Sequence, residues 1–248
     1  MKSRYIEKDD LQHLHVYSFQ GQDDSFATRY VMDRYWSWLV TFVPLWVAPN
    51  AITLFGFCFI LTNFATLVYY DAGFECQDSV PRWVYSTFSI GLFIYQSLDC
   101  IDGKQARRTG LSSPLGELFD HFCDSLYVTM GPLLCASALN TGRSWWTVAT
   151  VLGTYANFFL PIWREYHLGV LHLSSFGGGV EGVLIVCAVH LASSLNAKGP
   201  MMWDVDLLHP VYRFLGLSSS STDYPGVNGK QLFLAMIFCG LSASVIGT

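Results

Sequence analysis

The sequence is poor in charged side chains. Asp, Glu, Lys and Arg make up 13% of its 248 residues, whereas soluble domains carry about 25%. Because charge keeps a protein surface in water, this shortage argues against an ordinary soluble domain. The net charge of −5 comes without a concentrated basic face, so nothing supports nucleic-acid binding. The seven cysteines are scattered singly, without a C-x-x-C pair, which gives no sign of a zinc site or a disulfide framework.

Long uncharged runs are what the sequence has instead, and 52% of its residues are hydrophobic. Six runs lack any charged residue, and each is close to the length that crosses a hydrocarbon core of about 30 Å. They are Ala51–Tyr70, Trp83–Leu98, Ser125–Thr141, Ser144–Trp163, Gly182–Ala197 and Gln231–Thr248. We therefore predict an all-α fold, a polytopic transmembrane helical bundle of about six spans.

The first 50 residues have a different character, because charges alternate there with Tyr and Trp side chains. Aromatic rings of this kind collect at the membrane interface. We predict an amphipathic interfacial segment from about Ser25 to Phe42, broken by Pro44 and Pro49 before the first span. The predicted organisation is an interfacial, cytosolic segment over residues 1–50 and a transmembrane domain over residues 51–248.

Short loops suggest the orientation of the chain. A loop over residues 104–114 is predicted to follow the second span, and it holds Lys104, Arg107 and Arg108 without an acid. Because cytoplasmic loops carry an excess of Lys and Arg, this loop and the N-terminus are expected in the cytosol.

Four aspartates flank that loop. Asp99 and Asp102 end the second span, and Asp120 and Asp124 begin the third. Spacings of three and four residues put each pair on one face of its helix. An antiparallel hairpin of the two helices can bring both pairs together at the cytosolic end.

Four neighbouring carboxylates repel one another unless a cation lies among them. Mg²⁺ and similar hard cations take carboxylate and phosphate oxygens as ligands. Two such ions clamping a pyrophosphate would explain all four acids. Gly103, Ala106 and Gly116 leave space for a close approach, and Arg107 suits bidentate phosphate contact. Lys104 and Arg108 are expected to serve as membrane anchors more than as ligands.

The stretch Asp99–Asp124 reads D-x2-D-G-x2-A-R-x8-G-x3-D-x3-D. It resembles the signature of the CDP-alcohol phosphotransferases (class I), and every fixed position is filled. The surrounding text, with WVAPNAITLFGF at residues 46–57 and the region of residues 165–182, is similar to the eukaryotic cholinephosphotransferase and ethanolaminephosphotransferase branch. Members of that branch are longer, so the resemblance also implies a C-terminally truncated member.

The resemblance implies a reaction and its site. Phosphocholine or phosphoethanolamine would pass from the CDP-alcohol to diacylglycerol, leaving CMP, in endoplasmic reticulum or Golgi membranes with the site facing the cytosol. Mg²⁺ or Mn²⁺, two ions in all, would be held by Asp99, Asp102, Asp120 and Asp124. Asn50, Gly103, Arg107 and Gly116 would contact the CDP-alcohol, and the enzyme could act as a homodimer.

Two residues are candidates for the general base that activates the lipid hydroxyl. Asp124 is the one that the resemblance suggests. His121 is placed slightly ahead, because a histidine side chain changes charge near neutral pH. Glu165 and Glu181 are weaker candidates for pocket residues. The competing functions are a catalytically inert partner subunit and a cation transporter, which would also use intramembrane carboxylates.

Overall fold

The structure is a computed structural model, and it describes residues 21–23, 25–76, 80–173, 179–208, 210, 214 and 226–246. Its described part is built from helices. The N-terminal helical segment, residues 26–42, runs through a π-helical turn (Thr28–Met32), α1 (Asp33–Leu39) and a 3₁₀ turn (Val40–Phe42). The longer helices are α2 (Pro49–Tyr70), α3 (Arg82–Thr109), α4 (Pro114–Ala138), α5 (Trp145–Leu168), α6 (Gly179–Leu195) and α7 (Gly229–Ile246).

Two short strands accompany the helices. β1 (Gly21–Asp23) pairs in parallel with β2 (Leu171–Leu173), and a 3₁₀ turn spans Gly199–Asp204. The all-helical prediction is confirmed apart from these two strands of three residues, which the sequence pattern did not indicate.

Local sequence explains where the site helices start and stop. Pro49 and Pro114 open α2 and α4, where the missing backbone N–H of proline costs nothing. The Ser113 hydroxyl accepts a hydrogen bond from the Gly116 backbone N–H at 3.2 Å and so caps α4. Gly110 ends α3 in the left-handed conformation, with φ of 68°, which glycine adopts without strain. A turn of only four residues, 110–113, therefore joins α3 to α4.

The prediction of a loop over residues 104–114 is wrong for its first half, because α3 continues through Lys104 and Arg108 to Thr109. Lys, Gln, Ala and Arg are good helix formers, and basic side chains are favoured in the last turn of a helix. At 28 residues, α3 is about 42 Å long at the usual helical rise. It can therefore project its acidic end beyond the hydrocarbon core.

Helix α3 lies at the centre of the bundle. It packs along α2 and α6, while α4 packs on α2 and α5, and α5 packs on α7. One buried cluster, around Phe57, Ile60, Leu92 and Tyr95, lies beside the acidic end of the bundle. This packing brings the C-terminal half of α3 next to the N-terminal half of α4.

One described helix, Pro49–Tyr70, is both long and apolar enough to cross a membrane. Gly179–Leu195 and Gly229–Ser242 are apolar but shorter. The number of six spans therefore stays a prediction.

Candidate active site

Three of the four predicted metal ligands converge. One carboxylate oxygen from each of Asp99, Asp120 and Asp124 lies within 4.8 Å of the other two. Oδ1 of Asp99 and Oδ1 of Asp120 are buried and have no hydrogen-bond partner among the described residues. Buried carboxylate oxygens without donors are costly, and their mutual repulsion adds to the cost. A divalent cation removes both penalties, so this donor set fits Mg²⁺ or Mn²⁺.

Asp102 lies beside this group and is held by a different partner. Its Oδ2 accepts a hydrogen bond from the Thr53 hydroxyl, one turn into α2, and the carboxylate is buried. Thr53 was not predicted from the sequence. The available signal was its position three residues after Asn50, which puts the two residues on one face of α2.

Asp124 also has a hydroxyl partner. The Tyr95 hydroxyl donates to Oδ1 of Asp124 at 2.6 Å, and the Tyr95 side chain is buried. Tyr95 was not predicted from the sequence either, although it precedes Asp99 by four residues and shares its face of α3. Such hydroxyls fix the orientation of carboxylates that bind metals.

The residues predicted to contact the CDP-alcohol form two close pairs. A Cβ added to Gly103 would lie 3.6 Å from Nη1 of Arg107, so the guanidinium group lies over the glycine one turn away. A Cβ added to Gly116 would lie 3.4 Å from Oδ1 of Asn50. The two glycines therefore leave open backbone next to a cation and an amide, a surface that suits phosphate and nucleotide groups.

Three neighbouring side chains of α3 hold the chain that leads to Asn50. The Gln105 side chain is fully buried, and its Nε2 donates to the carbonyls of Pro44 (2.9 Å) and Val47 (3.2 Å). Arg108 donates to the Val40 carbonyl and, at 3.0 Å, to Oε1 of Gln105.

Lys104 completes these contacts with an ion pair of 2.6 Å to Asp33. The side chains of Lys104 and Arg108 thus bind the N-terminal segment, and their role as membrane anchors stays a prediction. Gln105, which sequence analysis passed over, is the most buried of the three.

His121 belongs to a second cluster, next to the aspartates. One ligand atom from each of Glu117, His121 and Glu165 lies within 4.8 Å of the other two. Burial, followed by the nearby Glu117 carboxylate, raises the pKa of Glu165, and the His121 ring opposes that shift. A carboxyl group of each acid therefore lies close to the imidazole ring.

A cavity of about 460 Å³ joins the two clusters. Asp99, His121 and Asp124 lie on its wall, and most of the remaining wall consists of apolar side chains from α4–α7. A compartment that is acidic on one part of its wall and apolar elsewhere suits an amphiphile.

Glu181, by contrast, has a structural partner. Its Oε1 accepts a hydrogen bond of 2.9 Å from the Ala27 backbone N–H. This contact ties the start of α6 to the N-terminal helical segment.

A family model described as CDP-alcohol phosphatidyltransferase matches residues 46–209 of this chain. The match covers α2–α6 and every residue of the two clusters. The chain belongs to the CDP-alcohol phosphatidyltransferase family.

Within the CDP-alcohol phosphatidyltransferases, the chain is similar to relatives named cholinephosphotransferase and choline/ethanolaminephosphotransferase. Cholinephosphotransferase 1 of Saccharomyces cerevisiae is 38% identical over 85% of this chain and 56% of its own length. Choline/ethanolaminephosphotransferase 1 of Arabidopsis thaliana is 33% identical over 98% of this chain and 59% of its own length. Cholinephosphotransferase 1 of Rattus norvegicus is 42% identical over 70% of this chain and 42% of its own length. The chain thus spans about half the length of the curated relatives it matches.

Proposed function

We propose that this chain transfers phosphocholine or phosphoethanolamine from a CDP-alcohol to diacylglycerol, giving phosphatidylcholine or phosphatidylethanolamine and CMP. The observation that carries the proposal is the cavity whose wall holds Asp99 and Asp124, two of the three converging carboxylates, and is otherwise mostly apolar. The names of the relatives supply the head groups. A lipid hydroxyl and a charged phosphate donor need such a two-sided compartment, because they come from solvents of opposite polarity.

In the proposed mechanism the carboxylates of Asp99, Asp102, Asp120 and Asp124 hold Mg²⁺ or Mn²⁺. The bound ions would neutralise charge on the pyrophosphate. Thr53 and Tyr95 keep two of these carboxylates oriented. Arg107 adds positive charge beside Gly103, and Asn50 faces Gly116, so the donor would lie against the N-termini of α2 and α4. Most of the rate enhancement then comes from alignment and charge neutralisation.

The proton of the attacking hydroxyl goes to His121. This side chain lies on the cavity wall close to Asp99 and Asp124, with Glu117 and Glu165 beside it. Asp124 already accepts a hydrogen bond from Tyr95 and lies among the converging carboxylates of Asp99 and Asp120. It therefore serves better as a metal ligand than as the base. The lipid oxygen forms a bond to the phosphorus that carries the head group, and the bond from that phosphorus to CMP breaks.

The membrane setting belongs to the same proposal. Large aromatic side chains are exposed on the N-terminal helical segment, among them Phe26, Tyr30, Trp38 and Phe42. Rings on an exposed helical face are typical of a segment that lies in the lipid interface. On the basis of the family resemblance, the proposal also includes an endoplasmic reticulum or Golgi membrane, a site that faces the cytosol, and a homodimer.

The test is a transfer assay on the purified full chain in lipid nanodiscs, with CDP-choline and CDP-ethanolamine in competition and diacylglycerol as acceptor. We expect CMP release that depends on diacylglycerol and on Mg²⁺ or Mn²⁺. CDP-alcohol binding without CMP release would contradict the proposal and point to an inert subunit. Cation flux without CMP release would point to a transporter.

The role of His121 needs its own comparison. His121→Ala should lower kcat by about 10²- to 10⁴-fold and leave CDP-alcohol binding intact, because a general base acts in the transition state. His167→Ala is the matched control, since His167 is exposed and packs on Trp163. Normal turnover of His121→Ala would transfer the role to Asp124.

A further inference from the structure

The indole N–H of Trp36 is a hydrogen-bond donor without an acceptor among the described residues. The Trp36 side chain is only 4% exposed, and its Nε1 is buried without a hydrogen-bond partner in the described part of the chain. A buried indole N–H group usually has an acceptor, because an unpaired buried donor costs its full desolvation penalty. The missing partner therefore points to a group that arrives with a ligand.

The position of Trp36 indicates which cavity such a ligand would occupy. The side chain lies on the wall of the same cavity as Asp99 and Asp124. Its ring packs on a buried cluster that includes Met32, Val40 and Val180, so the ring is fixed in place. A donor held rigidly on the wall of a substrate cavity is poised to orient that substrate.

Three other polar side chains on the cavity wall already have acceptors. The Thr150 and Thr154 hydroxyls donate to carbonyls one turn back in α5, at 2.9 and 2.8 Å. The Asn157 amide donates to the Gly153 carbonyl at 3.1 Å. Trp36 contrasts with these residues because its own helical segment supplies no acceptor for the ring nitrogen.

We propose that Nε1 of Trp36 donates a hydrogen bond to an ester carbonyl of the acylglycerol acceptor. This inference rests on the proposed function, which brings a lipid hydroxyl to the carboxylate end of the cavity. In a diacylglycerol, the carbon next to the one that bears the hydroxyl carries an ester, whose carbonyl oxygen is a good acceptor. The N-terminal helical segment also suits this role, since tryptophan N–H groups face ester groups at the depth of the lipid interface.

The test compares two acceptors and three proteins. The acceptors are dioleoylglycerol and its dialkyl ether, in which both ester carbonyls are replaced by methylene groups. The proteins are the full-length wild type, Trp36→Phe, which keeps a ring but loses the N–H group, and Trp38→Phe. Trp38 is the matched control because it lies two residues away with its side chain 58% exposed.

We expect wild type to favour the diacyl substrate in kcat/KM by about tenfold, the size of one good hydrogen bond. Trp36→Phe should lose that preference through a higher KM for the diacyl substrate, with kcat/KM for the ether unchanged. Trp38→Phe should keep the wild-type preference. An equal loss on both substrates, or an unchanged preference in Trp36→Phe, would overturn the inference.

A binding measurement separates this inference from the proposed reaction. Binding of dioctanoylglycerol and of dioctyl glyceryl ether is measured in nanodiscs without CDP-alcohol. A diacyl preference that disappears in Trp36→Phe supports the inference even if no CMP is released. Equal binding of the two lipids by wild type contradicts the inference even if transfer occurs.

Discussion

Replacing Gln105 by Met tests how the chain that leads to Asn50 is held. Methionine has nearly the shape of glutamine but offers no amide. The change removes the donor to the Pro44 and Val47 carbonyls and the acceptor for Arg108. Three hydrogen bonds at about 0.5–1.5 kcal/mol each give a loss of about 2–4 kcal/mol in the free energy of unfolding.

The assay is thermal unfolding of the purified chain, together with the kinetics of CMP release. A loss of that size lowers Tm by about 5–12 °C in a chain of this length. Because Val47 is three residues before Asn50, we also expect a higher KM for the CDP-alcohol and a smaller change in kcat. Lys104→Met is the control. It removes an ion pair that lies partly in solvent, which contributes about 0–1 kcal/mol. Equal Tm values for the two variants would refute the reasoning.

Three further substitutions test other contacts. Thr53→Val removes the hydroxyl that holds Asp102 and should weaken metal activation of CMP release by about 10- to 100-fold; Thr62→Val, whose hydroxyl bonds only its own helix, should have no effect. Tyr95→Phe should weaken metal activation to a similar extent, because it removes the hydroxyl that orients Asp124. Tyr69→Phe, at an exposed ring, should have no effect. Equal metal titrations for the two tyrosine variants would contradict the role of Tyr95 in orienting Asp124. Gly229→Ala puts a Cβ 2.5 Å from the Trp203 ring, which Ser193 holds by a 2.8 Å hydrogen bond. Gly229→Ala should lower the free energy of unfolding by about 1–3 kcal/mol, measured by thermal unfolding. A Cβ at Gly179 meets open space, so Gly179→Ala should lower it less.

The sequence was informative where a pattern repeats along one helix. Uncharged runs predicted the long helices, and the aspartate spacing placed each pair on one face of its helix, from which the convergence of Asp99, Asp120 and Asp124 was expected. The helix of the N-terminal segment was predicted over Ser25–Phe42 and is found over residues 26–42, with Phe26, Tyr30, Trp38 and Phe42 exposed and Trp36 buried.

Contacts between distant segments were not predictable. Thr53 with Asp102, Tyr95 with Asp124 and Gln105 with residues 44–47 depend on how α2, α3 and the N-terminal segment rotate against one another. The contact of Glu181 with Ala27 joins residues 154 apart. The end of α3 was mispredicted because charge was taken to mark a loop, whereas Lys104–Thr109 has good helix formers and favourable charge for a helix C-terminus.

Manganese binding combined with turnover tests the central claim most directly. Mn²⁺ is titrated into the purified chain and followed by electron paramagnetic resonance, with CMP release measured on the same samples. We expect wild type and the surface variant Asp33→Asn to bind Mn²⁺ and release CMP, and both Asp99→Asn and Asp120→Asn to lose the two properties together. If Asp99→Asn and Asp120→Asn bound Mn²⁺ and released CMP as well as wild type does, these carboxylates would not share an ion.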